Sequence, residues 1–185
     1  MIGRGYVAVV ACAALTTEVV RTFDIPAEVE AVFSEFRTAE FTTIGKDGTP
    51  ATWPITAVFR PDRCEFVTAT SIGLSQKAVN IGRNPRVALL FSEPRASGLT
   101  NPPAVLVQGD AVVEPITTLD GIEDLWEKIY HIQPSVKWVT WGPLMRRMMG
   151  KWYYVRIPLR ITPTRILWWP EADFSTEPLV VPDVG

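Results

Sequence analysis

The period of apolar and polar positions changes several times along this 185-residue chain, and each change marks an element. After Pro26 the apolar residues fall at Val29, Val32, Phe33 and Phe36. That spacing predicts an amphipathic helix, with Pro26 suited to its first turn. A strand is expected from about Arg37 to Ile44. Lys46-Asp47-Gly48 then predicts a tight turn, because Asp-Gly supplies positive φ. A second strand is expected to run through Phe59, Pro61-Asp62 to turn the chain, and Cys64 to Thr70 to form a third strand. Three consecutive strands read as a meander. Pro54 lies inside the second and cannot donate to a ladder, so that strand is expected at an edge, bulged, or facing a ligand.

Ser75 to Arg83 predicts a short helix with Ser75 as its N-cap. Asn84-Pro85 stops it, because the residue before proline avoids the α region. Arg86 to Ser92 reads as a strand apolar on both faces, and Glu93 to Pro103 as a loop rich in Pro, Gly, Ser and Asn. Ala104 to Glu114 predicts a long strand with Val105, Val107 and Val113 on one face. A helix follows from about Leu119 to Ile132, striped by Ile122, Leu125, Trp126 and Ile129. Residues 133–150 form a Trp- and Met-rich insert. From Lys151 to Thr162 strict alternation puts Tyr153, Val155, Ile157, Leu159 and Ile161 on one face. Pro163 punctuates, and Arg165 to Trp169 predicts a last short strand before a proline-rich tail, loose or draped. The sum is mainly β: six or seven antiparallel strands with peripheral helices. Such a sheet tends to close on itself, which removes exposed edges.

Composition adds bounds. The length suits one domain, 1–185, with an N-terminal extension over 1–20 and a C-terminal tail over 170–185. An apolar fraction of 47% and a charged fraction of 21% are ordinary for a globular chain. The formal charge is -2 and the longest basic run is Arg146-Arg147, so nucleic acid is not an expected partner. Tyr6 to Leu15 is apolar but far short of the roughly 20 residues a membrane span needs. Val7 to Leu15 has the length of a secretory signal core, and Val9-Val10-Ala11-Cys12 looks like a lipoprotein cleavage box. A single preceding Arg favours instead a short N-terminal element or an upstream choice of start codon. Cys12 and Cys64 suggest no framework and read as free thiols in a reducing cytoplasm.

Candidate chemistry is sparse. One histidine, His131, excludes a His-based metal cluster, and no nucleophile–base arrangement or Gly-rich phosphate loop is present. No catalytic side chain and no metal ligand is assigned. A chain so poor in acids and bases borrows its chemistry from a cofactor if it is an enzyme. The informative segment runs from Phe66 to Lys77, with hydroxyls at Thr68, Thr70, Ser71 and Ser75 between a strand end and a helix start. Backbone N–H groups at a helix start bind anions. Lys77 in the first turn opposes the helix dipole, a cost of about 0.3–1 kcal/mol that a bound phosphate would reverse. A capped helix with a solvated lysine would look the same.

Val67-Thr68, Ser75-Gln76-Lys77, Asn84-Pro85 and the apolar run Val87 to Phe91 occur in order at short spacings. Together they resemble the pyridoxamine 5'-phosphate oxidase-like family of flavin and deazaflavin split barrels. The likeness covers roughly Phe36 to Glu114, includes Gly109, and has a weaker echo at Arg160 to Trp169. It implies a split β-barrel of the FMN-binding type. It also implies that Thr68, Ser75, Gln76 and Lys77 lie at the cofactor phosphate, with Val67 among the cofactor-binding residues. Thr52, Trp53, Pro54, Ile55 and Thr56 would run beside the isoalloxazine ring, with Trp169 against it, in a homodimer whose cofactor lies at the interface. FMN is the implied cofactor, a deazaflavin coenzyme the alternative, and haem on His131 is disfavoured. The stretch between Thr68 and Ser75 is longer than in the oxidase, which moves the expected grip toward Thr70, Ser71 and Lys77. The oxidase's Arg and Lys are absent at Thr52 and near Ala57, and Trp168-Trp169-Pro170-Glu171 stands where its Arg-x-His would be. Another small-molecule substrate is therefore expected. The competing readings are a non-catalytic flavin, haem or tetrapyrrole binder on this barrel and an unrelated barrel that holds single strands on its aromatics. Trp126, Trp138, Trp141 and Trp152 are candidate walls for a flat pocket, and Arg95, Arg156, Arg160 and Arg165 candidate anion contacts.

Overall fold

The computed structural model describes residues 22–95, 97–118, 120–132 and 155–184. The expectations for residues 1–20, for the insert 133–150, and for Trp138, Trp141, Trp152 and Tyr153 lie outside the described residues. Helix α1 (Ala27–Glu35) opens at Pro26, whose carbonyl accepts the N–H groups of Val29 and Glu30. Its stripe of Val29, Val32 and Phe33 is buried. Phe33 meets Phe66 edge-on at 4.8 Å and Phe91 at 5.3 Å, so the helix fills the concave side of the sheet. Truncating such a ring to Ala costs about 3–5 kcal/mol.

Seven antiparallel strands make the barrel wall: β1 (Ala39–Ile44), β2 (Pro50–Ile55), β3 (Val58–Arg60), β4 (Glu65–Ser71), β5 (Arg86–Phe91), β6 (Ala104–Val113) and β7 (Arg156–Trp169). They are ordered β2-β1-β5-β6-β7-β4-β3. The expected β1–β2 hairpin forms, and Gly48 takes the positive φ of 84° its turn requires. The meander does not form. The strand expected through Phe59 breaks at Thr56-Ala57, and β3 and β4 join the far end of the sheet. The chain thus steps across the split, and the Thr68 hydroxyl fixes the crossing by donating to the Thr56 carbonyl at 2.7 Å. Pro50 and Pro54 lie on the edge strand β2, where a missing N–H leaves no central ladder bond unmade.

Other boundaries also shift. Cys64 is not in a strand but closes the β3–β4 turn with a φ of 48°. In β5 burial alternates, with Val87, Leu89 and Phe91 inside while Ala88 and Leu90 are half-exposed on the outer face. Val113 is exposed, because β6 outruns the core there. Pro163 does not end a strand: β7 runs for 14 residues through a bulge opposite Gln108/Gly109. At Gly109 the backbones come so close that an added Cβ would clash with the Thr162 carbonyl oxygen, which reserves the position for glycine. The tail is draped: β8 (Leu179–Val180) pairs with β7, and Phe23 bridges Asp183.

Helix α2 (Gln76–Arg83) follows a 3-10 turn over Ile72–Leu74. Ser75 precedes it but its side chain makes no capping bond. The turn delivers Ser75 with φ -77° and ψ 3°, not in the extended conformation from which a cap hydroxyl reaches back. Helix α3 (Glu123–Ile132) begins later than the apolar pattern implies, after a turn in which Gly121 has a φ of 79°.

Candidate functional site

A cleft of about 740 Å³ opens where the barrel splits. The end of β2 forms one side through Pro54, Ile55 and Thr56, and β4 the floor through Thr68, Thr70 and Ser71. Helix α3 forms the opposite wall through Leu125, Trp126 and Ile129. Lys77 from α2 and Arg156 from the start of β7 bring positive charge to it. The broken strand makes this space: a β2 continuing into β3 would have covered it.

Seven of the thirteen residues marked from sequence line the cleft: Pro54, Ile55, Thr56, Thr68, Thr70, Ser71 and Lys77. The Lys77 Nζ lies 5.0 Å from the centre of the Trp53 ring. Burial holds its pKa below the usual lysine range, and no carboxylate among the described residues pairs with it. The indole offsets part of the desolvation, a contribution of about 0.5–2 kcal/mol. Thr68 and Thr70 are buried, and each spends its proton on a backbone carbonyl, Thr56 and Leu74 respectively, at 2.7 Å. Their hydroxyls therefore offer a ligand lone pairs, not donors. Ser71 and Ser75 are half-exposed and cap nothing.

The others lie beside or away from the cleft. Gln76 is exposed and donates through Nε2 to Asn80, whose Nδ2 donates to the buried Thr43. Thr52 is exposed and shares a hydroxyl hydrogen bond with Thr42 at 2.8 Å on the outer face. Val67 packs in a cluster with Ile122, Leu125 and Trp126. Trp169 ends β7, the strand that Arg156 begins, and its Nε1 donates to the Thr176 carbonyl. His131 is exposed at the end of α3 and faces a different hollow, between α1 and α3. Among the described residues no three His, Cys, Asp or Glu side chains gather as metal ligands.

Five lining residues were not marked from sequence: Ala69, Gly73, Leu74, Leu125 and Ile129. Leu125 and Ile129 belong to the stripe of α3, and local periodicity does not tell a stripe facing core from one continuing into a cleft. Trp126 and Arg156, singled out by type alone, meet here. The Arg156 guanidinium carbon lies 5.0 Å from the Trp126 ring centre, and Tyr130 stacks on the same indole at 5.6 Å.

A split antiparallel barrel with a cleft at the split defines a class, the split β-barrels. The family model described as pyridoxamine 5'-phosphate oxidase matches residues 25–156, and the chain belongs to that family. Solved structures share the fold. An F420 reductase is 22% identical with a TM-score of 0.53, over 77% of this chain and 98% of its own. A pyridoxamine 5'-phosphate oxidase homologue from Listeria innocua is 17% identical with a TM-score of 0.52, over 77% and 96%. A conserved hypothetical protein from Mycobacterium tuberculosis is 24% identical with a TM-score of 0.51, over 88% and 95%. No curated protein matches the sequence. Among the described residues no helix is long and apolar enough to cross a membrane.

Proposed function

We propose that this protein is a cytoplasmic, homodimeric oxidoreductase that holds FMN in the cleft at the split, with a deazaflavin coenzyme as the alternative, and passes hydride equivalents to or from a small molecule. The observation that carries this reading is Lys77, a partly buried ammonium on the cleft with an indole beneath it and no carboxylate partner among the described residues. An uncompensated charge there costs free energy until an anion arrives, and a phosphate is the anion that a helix start accommodates. The half-exposed hydroxyl of Ser71 supplies a donor on the same cleft. Pro54 to Thr56 belong to an edge, so their backbone is available to the polar rim of a flat ring. Leu125, Trp126 and Ile129 exclude water from the opposite side.

Bound FMN supplies the redox chemistry, and the side chains bind, orient and dry the site. The deazaflavin alternative draws support from the F420 reductase with the same fold. One observation favours a second reading: among the described residues, no Asp, Glu, His or Cys lines the cleft. A non-catalytic carrier of flavin or tetrapyrrole needs none. Steady-state reduction of an acceptor by the FMN-loaded protein would exclude it.

The decisive test compares FMN with riboflavin, which lacks the phosphate, by quenching of flavin fluorescence. Lys77→Ala is expected to weaken FMN at least tenfold, about 1.4 kcal/mol, and to leave riboflavin unchanged. Equal FMN affinity in the two proteins would refute the phosphate assignment.

A further inference from the structure

The hollow between α1 and α3 holds a nucleophile that the proposed function does not use. It has a volume of about 440 Å³ and an apolar floor that includes Phe33 and Phe59. Lys128 of α3 lines it and is half-buried. Its Nζ donates to the Phe33 carbonyl at 3.0 Å, and among the described residues it forms no ion pair. The titratable groups around it are Glu30 from α1 and Asp124, Glu127 and His131 from α3, while Glu35 at the end of α1 favours the ammonium. Asp124 is already committed to Arg60 of β3. Burial outweighs Glu35 and brings the Lys128 pKa to about 8, so part of the amine is neutral near pH 7.

We infer that Lys128, in the hollow between α1 and α3, is an acyl-acceptor site for small uncharged acyl donors, thioesters or esters. The neutral amine attacks the acyl carbon and an N–C bond forms. The donor's C–S or C–O bond breaks, and the amine proton leaves with the thiol or alcohol. No oxidant and no further reactant is required. Acylation replaces an ammonium that burial disfavours with a neutral amide. The amide keeps one N–H for the Phe33 carbonyl, so that acceptor is not orphaned. The carbons of the acyl group meet the apolar floor of Phe33 and Phe59. Carboxylates around the hollow repel an anionic donor, which selects for an uncharged one.

This inference is independent of the cofactor reading, because the hollow and the cleft at the split share no lining residue. The probe is p-nitrophenyl acetate, added to the full chain, with acetylation rates read lysine by lysine from peptide mass spectra. Exposed Lys46, in the turn between β1 and β2, is the internal reference. At pH 7.5 a pKa of about 8 leaves the amine neutral about two-hundredfold more often than an ordinary lysine. A weaker base is a weaker nucleophile, which takes back part of that advantage. Lys128 is expected to acetylate at least tenfold faster than Lys46 at pH 7.5. Its rate should level off above pH 8, while that of Lys46 keeps rising to pH 10. The excess should vanish in urea, where the hollow is gone. Acetyl phosphate, which carries the same acyl group on an anion, should lower the ratio of Lys128 to Lys46 at least threefold. Equal rates at the two lysines in the native protein would overturn the inference, as would an excess that persists in urea. An equal ratio with both donors would overturn the choice of an uncharged donor.

Discussion

Lys128 shows how much one side chain can be asked to reconcile. It sits on α3, yet its Nζ donates to the Phe33 carbonyl of α1 at 3.0 Å. A cation there satisfies a carbonyl in the last turn of a helix and suits its dipole. Burial opposes this, because it disfavours the charged form, and Glu35 restores only part of the loss. Burial wins, and the pKa falls to about 8. The folded state therefore binds fewer protons than the unfolded state between pH 8 and the ordinary lysine value, and stability rises with pH across that window. The penalty carried below pH 8 is of order 3 kcal/mol. Lys128→Met removes both the penalty and its pH dependence. The variant's stability relative to the parent is expected to fall by about that amount from pH 7 to pH 10.5 in urea titrations. Parallel stability curves would mean that Lys128 titrates as an ordinary surface lysine. Nothing in the local sequence marks this residue, because its partner is 95 positions away.

At the scale of elements, α3 is the piece whose placement decides the shape of the cleft. Its first turn is fastened to the edge strand β3 by the fork of Arg60 on Asp124: Nε to Oδ2 at 2.8 Å and Nη2 to Oδ1 at 2.9 Å. Nη2 also reaches the Gly121 carbonyl at 2.7 Å, so the turn before α3 is held by the same group. The Arg60 hydrogen bond holds the Asp124 carboxyl below its usual range. Its stabilisation is present above the unfolded carboxylate pKa and is lost as pH falls through the lowered folded value. The pair is partly exposed, so its coupling should be about 1 kcal/mol and weaken with salt. A double-mutant cycle with Arg60→Gln and Asp124→Asn measures it, and zero coupling at low salt would show that the fork is incidental. Element existence was legible in the sequence, because alternation and helical spacing are local. Element partnership was legible only where a tight turn joins neighbours, as at the β1–β2 hairpin. The break at Thr56-Ala57 and the run of β7 through Pro163 depend on a hydroxyl from Thr68 and on a bulge opposite Gly109. Such long-range contacts leave no period.

At the scale of the whole molecule, the residues marked from sequence divide by where one chain puts them. Lys77 and Ser71 meet at the cleft because β4 runs into α2 over a few residues, and that proximity was readable. Trp169 was marked by the same resemblance but lies at the opposite end of β7 from Arg156, beside Phe174. A strand of 14 residues separates the two ends, at about 3.3 Å per residue, so one copy does not bring Trp169 to its own cleft. If Trp169 meets the flavin, it does so on a second copy of the barrel. The protein is then expected to sediment at twice its 20.6 kDa chain mass at micromolar concentration. FMN affinity should fall on dilution below the dimer dissociation constant, since a cofactor bound by both copies is linked to their association. Trp169→Ala should weaken FMN and riboflavin alike, because it removes a ring contact and leaves the phosphate grip intact. That pattern differs from Lys77→Ala, which separates the two ligands. A monomer that binds FMN stoichiometrically with Trp169 replaced would show that each cleft is complete within a single chain.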